Sequence, residues 1–405
     1  MSSNAVDEAA TLDIKLSARV QRIKPSPTLA VTALANELKA QGKDIIGLGA
    51  GEPDFDTPDH IKEAAIQAIR DGFTKYTAVD GTPGLKQAII TKFIRDNRLD
   101  YVPDQVLVSC GGKQSFYNLA QALLDSGDEV LIPAPYWVSY PDMVLLADGK
   151  PVIMDTGIEQ QFKITPEQLE AAINHNTRLL VLNSPSNPTG MAYTKAELET
   201  LGAVLRAHPQ VLIATDDMYE HILWRDEPFC NIVNACPDLY ERTIVLNGVS
   251  KAYSMTGWRI GYAAGPEPII KAMKKIQSQS TSNPTSISQV AAQAALDGDQ
   301  SCIGEMCQAF KTRHDYLVDE LNQIEGISCL PGQGTFYAFP DMAGLIERLE
   351  GINDDIGLAE FLLDKAGVAM VPGSAFGSPG NMRLSFATSL DNLQEAVKRI
   401  KQVSN

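Results

Sequence analysis

The sequence has no apolar stretch approaching the roughly 18 to 20 residues that a helix needs to cross a bilayer. It also has no basic run, and its 34 Lys and Arg against 50 Asp and Glu give a formal net charge of -16 at pH 7. Such a chain repels nucleic-acid phosphates and anionic lipid, which argues against both as partners. An anionic substrate would therefore have to be bound by a few locally placed cations.

Cysteine is scarce and irregularly spaced. The six cysteines include no C-x-x-C pair and the five histidines no H-x-x-x-H pair, which argues against a disulfide framework and against a metal site. Residues 1–20 carry Asp7, Glu8 and Asp13 and no apolar core of the signal-peptide kind. We therefore expect a cytoplasmic protein.

The alternation of strand-like and helix-like segments predicts an α/β fold. A chain of 405 residues exceeds one compact core, so we expect two domains. Short apolar runs between helix-length segments predict a mostly parallel central sheet covered by helices, with ligands bound beyond the carboxyl ends of its strands. The expected strands are 105–108, 129–132, 178–182, 211–214, 243–246 and 259–263.

The last quarter of the chain has a different pattern. After about residue 296, long amphipathic stretches are accompanied by short strand candidates at 335–339 and 382–386, which is typical of a smaller α+β domain. The N-terminal segment has no sheet partner of its own in sequence. We therefore predict a large domain at 52–295 and a small domain formed by 1–51 and 296–405.

Two glycines and a lysine follow the first expected strand. Gly111 and Gly112 precede a helical pattern, where bare N–H groups and the helix dipole can bind a phosphate; a tight turn explains these glycines equally well. Lys113 would lie in the first turn of that helix and oppose its dipole. An anionic partner would explain its position, and so would simple exposure to solvent.

Polar residues follow two further strands. Asp216 comes directly after a buried strand, where a carboxylate is costly without a cation, although it could also cap the next helix. Tyr219 can face the same cavity. Lys251 follows the strand at 243–246, and Arg259 comes eight positions later between two glycines. A lysine in a cavity beside an arginine has a lowered pKa, which suits Schiff-base chemistry.

These segments resemble the class I aminotransferases, which are pyridoxal 5'-phosphate enzymes with the aspartate aminotransferase fold, fold type I. The resemblance covers essentially the whole chain, and its strongest part is Ser-Lys-x-x-x-x-x-Gly-x-Arg-x-Gly at 250–261. The segment Gly-Gly-Lys-Gln at 111–114 resembles the bacterial and thermophilic subgroup, which includes aspartate/prephenate aminotransferases. Other matching segments are 49–55, Tyr76, 135–137, 183–190 and 381–385.

The resemblance implies roles around the cofactor ring. Lys251 would hold the cofactor aldehyde covalently and later move the proton between the substrate α-carbon and the cofactor. Asp216 would pair with the pyridine nitrogen and keep it protonated. Asn187 and Tyr219 would donate hydrogen bonds to the ring's 3′ oxygen, and Trp137 would stack on the ring face.

The phosphate of the cofactor has its own expected partners. The resemblance assigns it Arg259 and the N–H groups around Gly112 and Lys113, with Ser250 as a weaker candidate. Tyr76 resembles a tyrosine that reaches the phosphate from the partner subunit. A homodimer with shared active sites is therefore expected.

The substrate is expected to be held at two ends. Arg383 resembles the arginine that binds the α-carboxylate, near the backbone of Gly51, with Trp137 and Asn187 also in contact. On the strand at 382–386, Arg383 should face away from the core-facing neighbours. No arginine lies at 277–288, where one enzyme subgroup supplies the distal cation.

Two lysines are candidates for that distal cation. In the subgroup that the chain resembles, Lys113 takes the side-chain carboxylate. Lys24 resembles a basic residue used by some members for a second acidic group, and the N-terminal segment around it could close over the site. An exposed lysine in a linker is an equally good interpretation of Lys24.

The resulting expectation is transamination between L-aspartate and 2-oxoglutarate, giving oxaloacetate and L-glutamate in two stages through pyridoxamine phosphate. One alternative is aspartate/prephenate or aromatic specificity on the same fold. Another is a β-lyase or aminocyclopropane carboxylate synthase reaction. A regulator with an aminotransferase-like domain is the third, against which the acidic charge argues.

Overall fold

The computed structural model of the chain describes residues 14–404. Within this range the α-helices are α1 Ala18–Gln21, α2 Pro27–Ala40, α3 Asp59–Arg70, α4 Pro83–Lys92, α5 Gly112–Leu123, α6 Ser139–Leu146, α7 Pro166–Ala172, α8 Lys195–Ala207, α9 Ile232–Ala235, α10 Glu267–Ser278, α11 Ser286–Asp297, α12 Ser301–Leu321, α13 Ala343–Arg348, α14 Asp355–Lys365 and α15 Leu390–Ser404. The strands are β1 Ile46–Gly47, β2 Val106–Ser109, β3 Glu129–Ala134, β4 Lys150–Asp155, β5 Thr177–Asn183, β6 Leu212–Asp216, β7 Thr243–Gly248, β8 Gly261–Ala264, β9 Tyr337–Ala338, β10 Val368–Ala369, β11 Val371–Pro372 and β12 Met382–Ser385.

A seven-stranded sheet in the order β2-β8-β7-β6-β5-β3-β4 forms the centre of the molecule. Only β8 runs antiparallel to its neighbours, so the expectation of a mostly parallel sheet is confirmed. Both faces are buried: Val106 and Val108 pack into one hydrophobic cluster, while Leu107 between them packs into the cluster on the other face. Continuous apolar runs are the sequence pattern of strands covered on both faces.

A separate core lies among α12, α14, α15 and the short strands near the C-terminus, and it includes Phe310, Leu358 and Leu393. The strand β1 from the N-terminal segment pairs with β10 in parallel. This pairing is consistent with the predicted grouping of 1–51 with 296–405, which stays a prediction. Residues 1–13 of that grouping lie outside the described range.

Two details of the sheet differ from the sequence expectation. The last expected strand, 259–263, begins only at Gly261, because Arg259 has a left-handed backbone with φ 56° after a short 3-10 turn. The edge strand β4 was not predicted, since only Met154 within it is buried and the run therefore lacks an apolar pattern. Between residues 14 and 404, no helix is both long and apolar enough to pass through a bilayer.

The parallel strands deliver polar residues to one edge of the sheet. Strand β5 ends at Asn183, β6 at Asp216 and β7 at Gly248, and Asn183 pairs directly with Asp216 in the register. In sheets of this kind ligands bind beyond the carboxyl ends of the strands. The cleft that contains Lys251 and Asp216 lies there.

Candidate functional site

A cleft of about 410 Å³ opens where the carboxyl ends of the strands meet the C-terminal core. Most of the residues predicted from the sequence line it. These are Gly51, Gly112, Lys113, Trp137, Asn187, Asp216, Tyr219, Ser250, Lys251, Arg259 and Arg383. Thr28, Leu29 and Thr32 of α2 add a wall from the N-terminal segment.

Lys251 lies at the centre of the cleft and is partly buried. Its Nζ donates a hydrogen bond to the carbonyl oxygen of Gly51 at 2.6 Å. The pKa of Lys251 is lowered to about 8, mainly by burial, with smaller lowering effects from the charges of Arg383 and Arg259 and an opposing effect from Glu52. The amine is therefore a usable nucleophile and base close to neutral pH.

This lowered pKa can be measured directly. In ligand-free protein, acylation of Lys251 is expected to rise with pH through a midpoint of about 8, because only the neutral amine reacts. Glu52→Gln should lower that midpoint, since the Glu52 carboxylate favours the charged ammonium. Peptide mass spectrometry after brief labelling gives the profile, with the exposed Glu63→Gln as control. A midpoint near the ordinary lysine value of roughly 10.4 would show that the site leaves Lys251 unperturbed.

Asp216 lies at the bottom of the cleft and is surrounded by neutral donors. The hydroxyl of Tyr140 donates to Oδ2, and the backbone N–H of Met218 donates to Oδ1 at 3.2 Å. No ion pair with Asp216 forms within the described part of the chain. Burial raises the pKa of this carboxyl, while Tyr140, Met218 and the charge of Lys251 act in the opposite direction. The site thus holds a carboxylate whose charge is available to a cationic ligand.

Two tyrosines form the wall beside Lys251. The hydroxyls of Tyr219 and Tyr337 lie 3.1 Å apart, and Lys251 Nζ is 6.0 Å from the centre of the Tyr219 ring. Burial raises the pKa of Tyr219 well above its ordinary value, so the phenol keeps its proton and can donate it in a hydrogen bond. Tyr337 was not predicted, because its place in the cleft depends on the C-terminal strands.

Arg383 is a buried guanidinium with unused donor capacity. It donates to the carbonyl oxygen of Gly49 at 2.7 Å and to Oδ1 of Asn187 at 3.1 Å, while its Nε has no partner among residues 14–404. The guanidinium lies 4.4 Å from the centre of the Tyr337 ring and 5.0 Å from that of Phe376. A buried cation with a free donor beside an open cleft is suited to binding a carboxylate.

The start of α5 forms a cradle of bare backbone. Gly111 has φ 88°, and a Cβ there would come within 2.3 Å of the Arg259 guanidinium. A Cβ on Gly261 would come within 2.3 Å of the Gly112 nitrogen, so β8 and α5 approach at glycines alone. A Cβ on Gly248 would lie 3.0 Å from the Gly261 Cα, so a side chain at 248 would require its neighbours to shift slightly. Helix N–H groups beside an arginine favour an anion.

Lys113 is a cation facing the cleft. Its Nζ lies 5.2 Å from the centre of the Trp137 ring, and burial together with the charge of Arg259 lowers its pKa. Among residues 14–404, no carboxylate forms a salt bridge with it. The described residues therefore do not supply the anionic partner that would explain the position of Lys113.

Two predicted site residues lie outside this cleft. Tyr76 is 92% exposed, in the turn region before α4. Lys24 is exposed and lies beside Asp142. Burial raises the pKa of Asp142, and the backbone N–H and the charge of Lys24 oppose this with a smaller effect. Its neighbours Arg19 and Arg22 both pair with Asp148 at the end of α6. The N-terminal segment thus contacts the large sheet's helices, and the structure does not bring Lys24 into the cleft.

Three comparisons with known proteins agree with one another. A family model described as aminotransferase class I and II matches residues 43–400. The aspartate/prephenate aminotransferase of Nitrosomonas europaea is 66% identical over 392 residues, which are 96% of this chain and 99% of that protein. The solved aspartate aminotransferase of Rhizobium meliloti has a TM-score of 0.93 at 48% identity, covering 96% and 99% of the two chains. The Thermus thermophilus aspartate aminotransferase solved with maleate has a TM-score of 0.91 at 44% identity, covering 96% and 100%.

Proposed function

Since this chain belongs to the class I and II aminotransferase family, we propose that it transfers an amino group between L-aspartate and 2-oxoglutarate, giving oxaloacetate and L-glutamate. The observation that carries the choice of substrate is the Lys113 ammonium, which forms no salt bridge with any described residue, in the same cleft as the buried Arg383. Two cations without a carboxylate partner among residues 14–404 match the two carboxylates of a dicarboxylic amino acid. The maleate in the Thermus thermophilus relative is also a dicarboxylate.

Pyridoxal 5'-phosphate is the cofactor of this family, and the residues present fit it. Asp216 is a buried carboxylate whose donors among the described residues are neutral, and it suits the protonated ring nitrogen. The glycine cradle beside Arg259 suits the phosphate, and Ser250 lines the same wall. Lys251, with its pKa lowered to about 8, suits covalent attachment of an aldehyde.

When bound, the cofactor supplies an electron-accepting ring that stabilises negative charge at the substrate α-carbon. Lys251 would carry the proton from that carbon to the cofactor's C4′ carbon in the first stage, and would carry a proton in the opposite direction, to the α-carbon of the new amino acid, in the second stage. Tyr219 would donate a hydrogen bond toward the ring oxygen, with Asn187 as the second donor. Trp137 would cover one face of the ring and limit access of water.

The substrate would be fixed at both ends. Arg383 would hold the α-carboxylate through its free Nε–H, close to the Gly51 backbone. Lys113 would hold the side-chain carboxylate. This two-point binding favours aspartate and glutamate over monocarboxylic amino acids.

Lys113→Gln is expected to lower kcat/KM for L-aspartate and L-glutamate by roughly tenfold to a hundredfold, the loss of one charged hydrogen bond. L-alanine has no side-chain carboxylate, so its kcat/KM should change by less than threefold. Steady-state rates with the three amino acids provide the test. An equal loss with L-alanine would indicate that Lys113 binds the cofactor and not the substrate, which would contradict the proposed substrate class.

A second candidate activity is transfer to prephenate, favoured by the name of the Nitrosomonas europaea relative. The apolar Leu29 and the polar Thr28 and Thr32 at the mouth of the cleft could receive a ring with a second acidic group. Replacing 2-oxoglutarate by prephenate in the assay distinguishes the two specificities. Lys24→Ala in the same assay tests the proposed role of Lys24, which requires movement of the N-terminal segment.

We also propose that the enzyme is a cytoplasmic homodimer. The 92% exposure of Tyr76 is consistent with its reaching the site of a second copy. All six cysteines are free, which suits a reducing compartment. Mixing Tyr76→Phe subunits with subunits inactivated at Lys251 would reveal a shared site through the activity of the hybrid.

A further inference from the structure

Tyr140 is a buried tyrosine whose hydroxyl faces the carboxylate of Asp216. It is 1% exposed, and it lies in the first turn of α6, three residues after Trp137. Its hydroxyl donates to Asp216 Oδ2, and its ring meets the Trp137 ring edge to face with centres 5.2 Å apart. The Phe116 ring packs against the Tyr140 ring, with the ring centres 4.9 Å apart. One side chain therefore contacts two residues of the proposed cofactor site.

The environment makes Tyr140 a permanent donor. Burial and the negative charge of Asp216 both raise the pKa of Tyr140 well above its ordinary value, so the phenol keeps its proton. For Asp216 the hydroxyl opposes the effect of burial and favours the ionised carboxylate. Because the hydroxyl is neutral, it stabilises the carboxylate without neutralising its charge. A lysine at this position would instead form an ion pair and compete with a cationic ligand.

We infer that Tyr140 is a positioning residue, which holds the Asp216 carboxylate ionised and oriented for the protonated ring nitrogen of pyridoxal 5'-phosphate and fixes Trp137 beside it. The inference rests on the proposed function. With the Met218 N–H on Oδ1 and the Tyr140 hydroxyl on Oδ2, both carboxylate oxygens are fixed by donors on different elements. Rotation of the carboxylate would break one of the two hydrogen bonds.

Tyr140→Phe tests this role, because phenylalanine fills the same space and removes only the hydroxyl. Titration of ligand-free protein with pyridoxal 5'-phosphate, followed by absorbance, should show a dissociation constant raised roughly fivefold to a hundredfold. The loss should grow as the pH falls, because without the hydroxyl the pKa of Asp216 rises and the carboxylate is protonated sooner. The rate constant kcat for aspartate should fall while KM changes little, since Tyr140 does not touch the substrate site.

Tyr193→Phe is the matched control. Its buried hydroxyl accepts from the Ile164 N–H away from Asp216, so its removal should leave cofactor affinity unchanged. In an Asp216→Asn background, Tyr140→Phe should add less than a twofold loss, because the carboxylate it serves is gone. A Tyr140→Phe protein that melts as the parent does and binds the cofactor equally tightly at every pH would overturn the inference. Failure of the parent protein to bind the cofactor would instead contradict the proposed function.

Discussion

Lys251→Ala is expected to lower transamination by at least about 10²- to 10⁴-fold, the range that proton transfer by a positioned side chain supplies. The true loss should exceed this range, because the same amine also attaches the cofactor covalently. Within the cleft the Lys251 amine donates a hydrogen bond to the Gly51 carbonyl, and its pKa is lowered to about 8. The measurement is kcat for aspartate with 2-oxoglutarate, with the exposed Lys275→Ala as the control.

A second readout separates attachment from activity. Borohydride converts an imine into a stable amine, so treatment of the parent enzyme should fix the cofactor to the peptide that contains Lys251. The Lys251→Ala protein should carry no fixed cofactor, yet should still bind it reversibly through Asp216 and the glycine cradle at Gly111 and Gly112. Cofactor fixed at another lysine, or activity kept within tenfold of the parent, would show that Lys251 is not the attachment residue.

The residues that the sequence predicted well are those fixed by local pattern. Asp216 and Lys251 follow apolar runs, and the carboxyl ends of parallel strands meet at one edge of the sheet, so their meeting in one cleft follows from the fold class. At Gly111 a left-handed φ of 88° and the nearby Arg259 guanidinium disfavour a side chain, and at Gly261 a Cβ would come within 2.3 Å of the Gly112 nitrogen. These positions can be predicted from the order of strands and helices alone.

The residues that were missed depend on tertiary contacts. Tyr140 is three positions after Trp137, which in a helix places both on one side, but nothing in the sequence indicates that its hydroxyl meets Asp216. Tyr337 and Glu52 reach the cleft from segments far apart in the chain. Alternation predicted that Arg383 faces away from the core, whereas all four residues of β12 are buried, because the rings of Tyr337 and Phe376 lie against the Arg383 guanidinium.

The sequence also predicted only one of the causes that lower the pKa of Lys251. The motif predicted that Arg259 lowers the pKa of Lys251, and its charge does so. Burial is the larger cause, and Arg383 contributes more than Arg259. Both of these depend on how the C-terminal segment folds over the cleft, which no spacing within 250–261 encodes. Charge effects between distant segments are therefore the part of the site that needs the structure.

Arg383→Gln is expected to lower kcat/KM for every amino-acid substrate, because all of them carry the α-carboxylate. Removing one partner of a buried ion pair costs about 3–5 kcal/mol, which corresponds to a loss of roughly 150-fold to 5,000-fold. In the free protein no carboxylate of the described residues pairs with Arg383: the guanidinium donates to Gly49 and Asn187 and lies against aromatic rings, and its Nε has no partner within that part of the chain. The substitution should therefore leave the free energy of unfolding equal or higher, because an unpaired buried charge is removed.

The comparison of Arg383→Gln with Lys113→Gln makes this prediction specific. L-alanine and L-aspartate should both lose activity in Arg383→Gln, whereas only L-aspartate should lose it in Lys113→Gln. Arg383→Lys should recover little, because an ammonium cannot keep the bonds to Gly49 and Asn187 and still bind a carboxylate with two donors. If L-alanine kept its kcat/KM in Arg383→Gln and lost it in Lys113→Gln, the two cations would have exchanged roles, and the α-carboxylate would lie against Lys113 and Trp137.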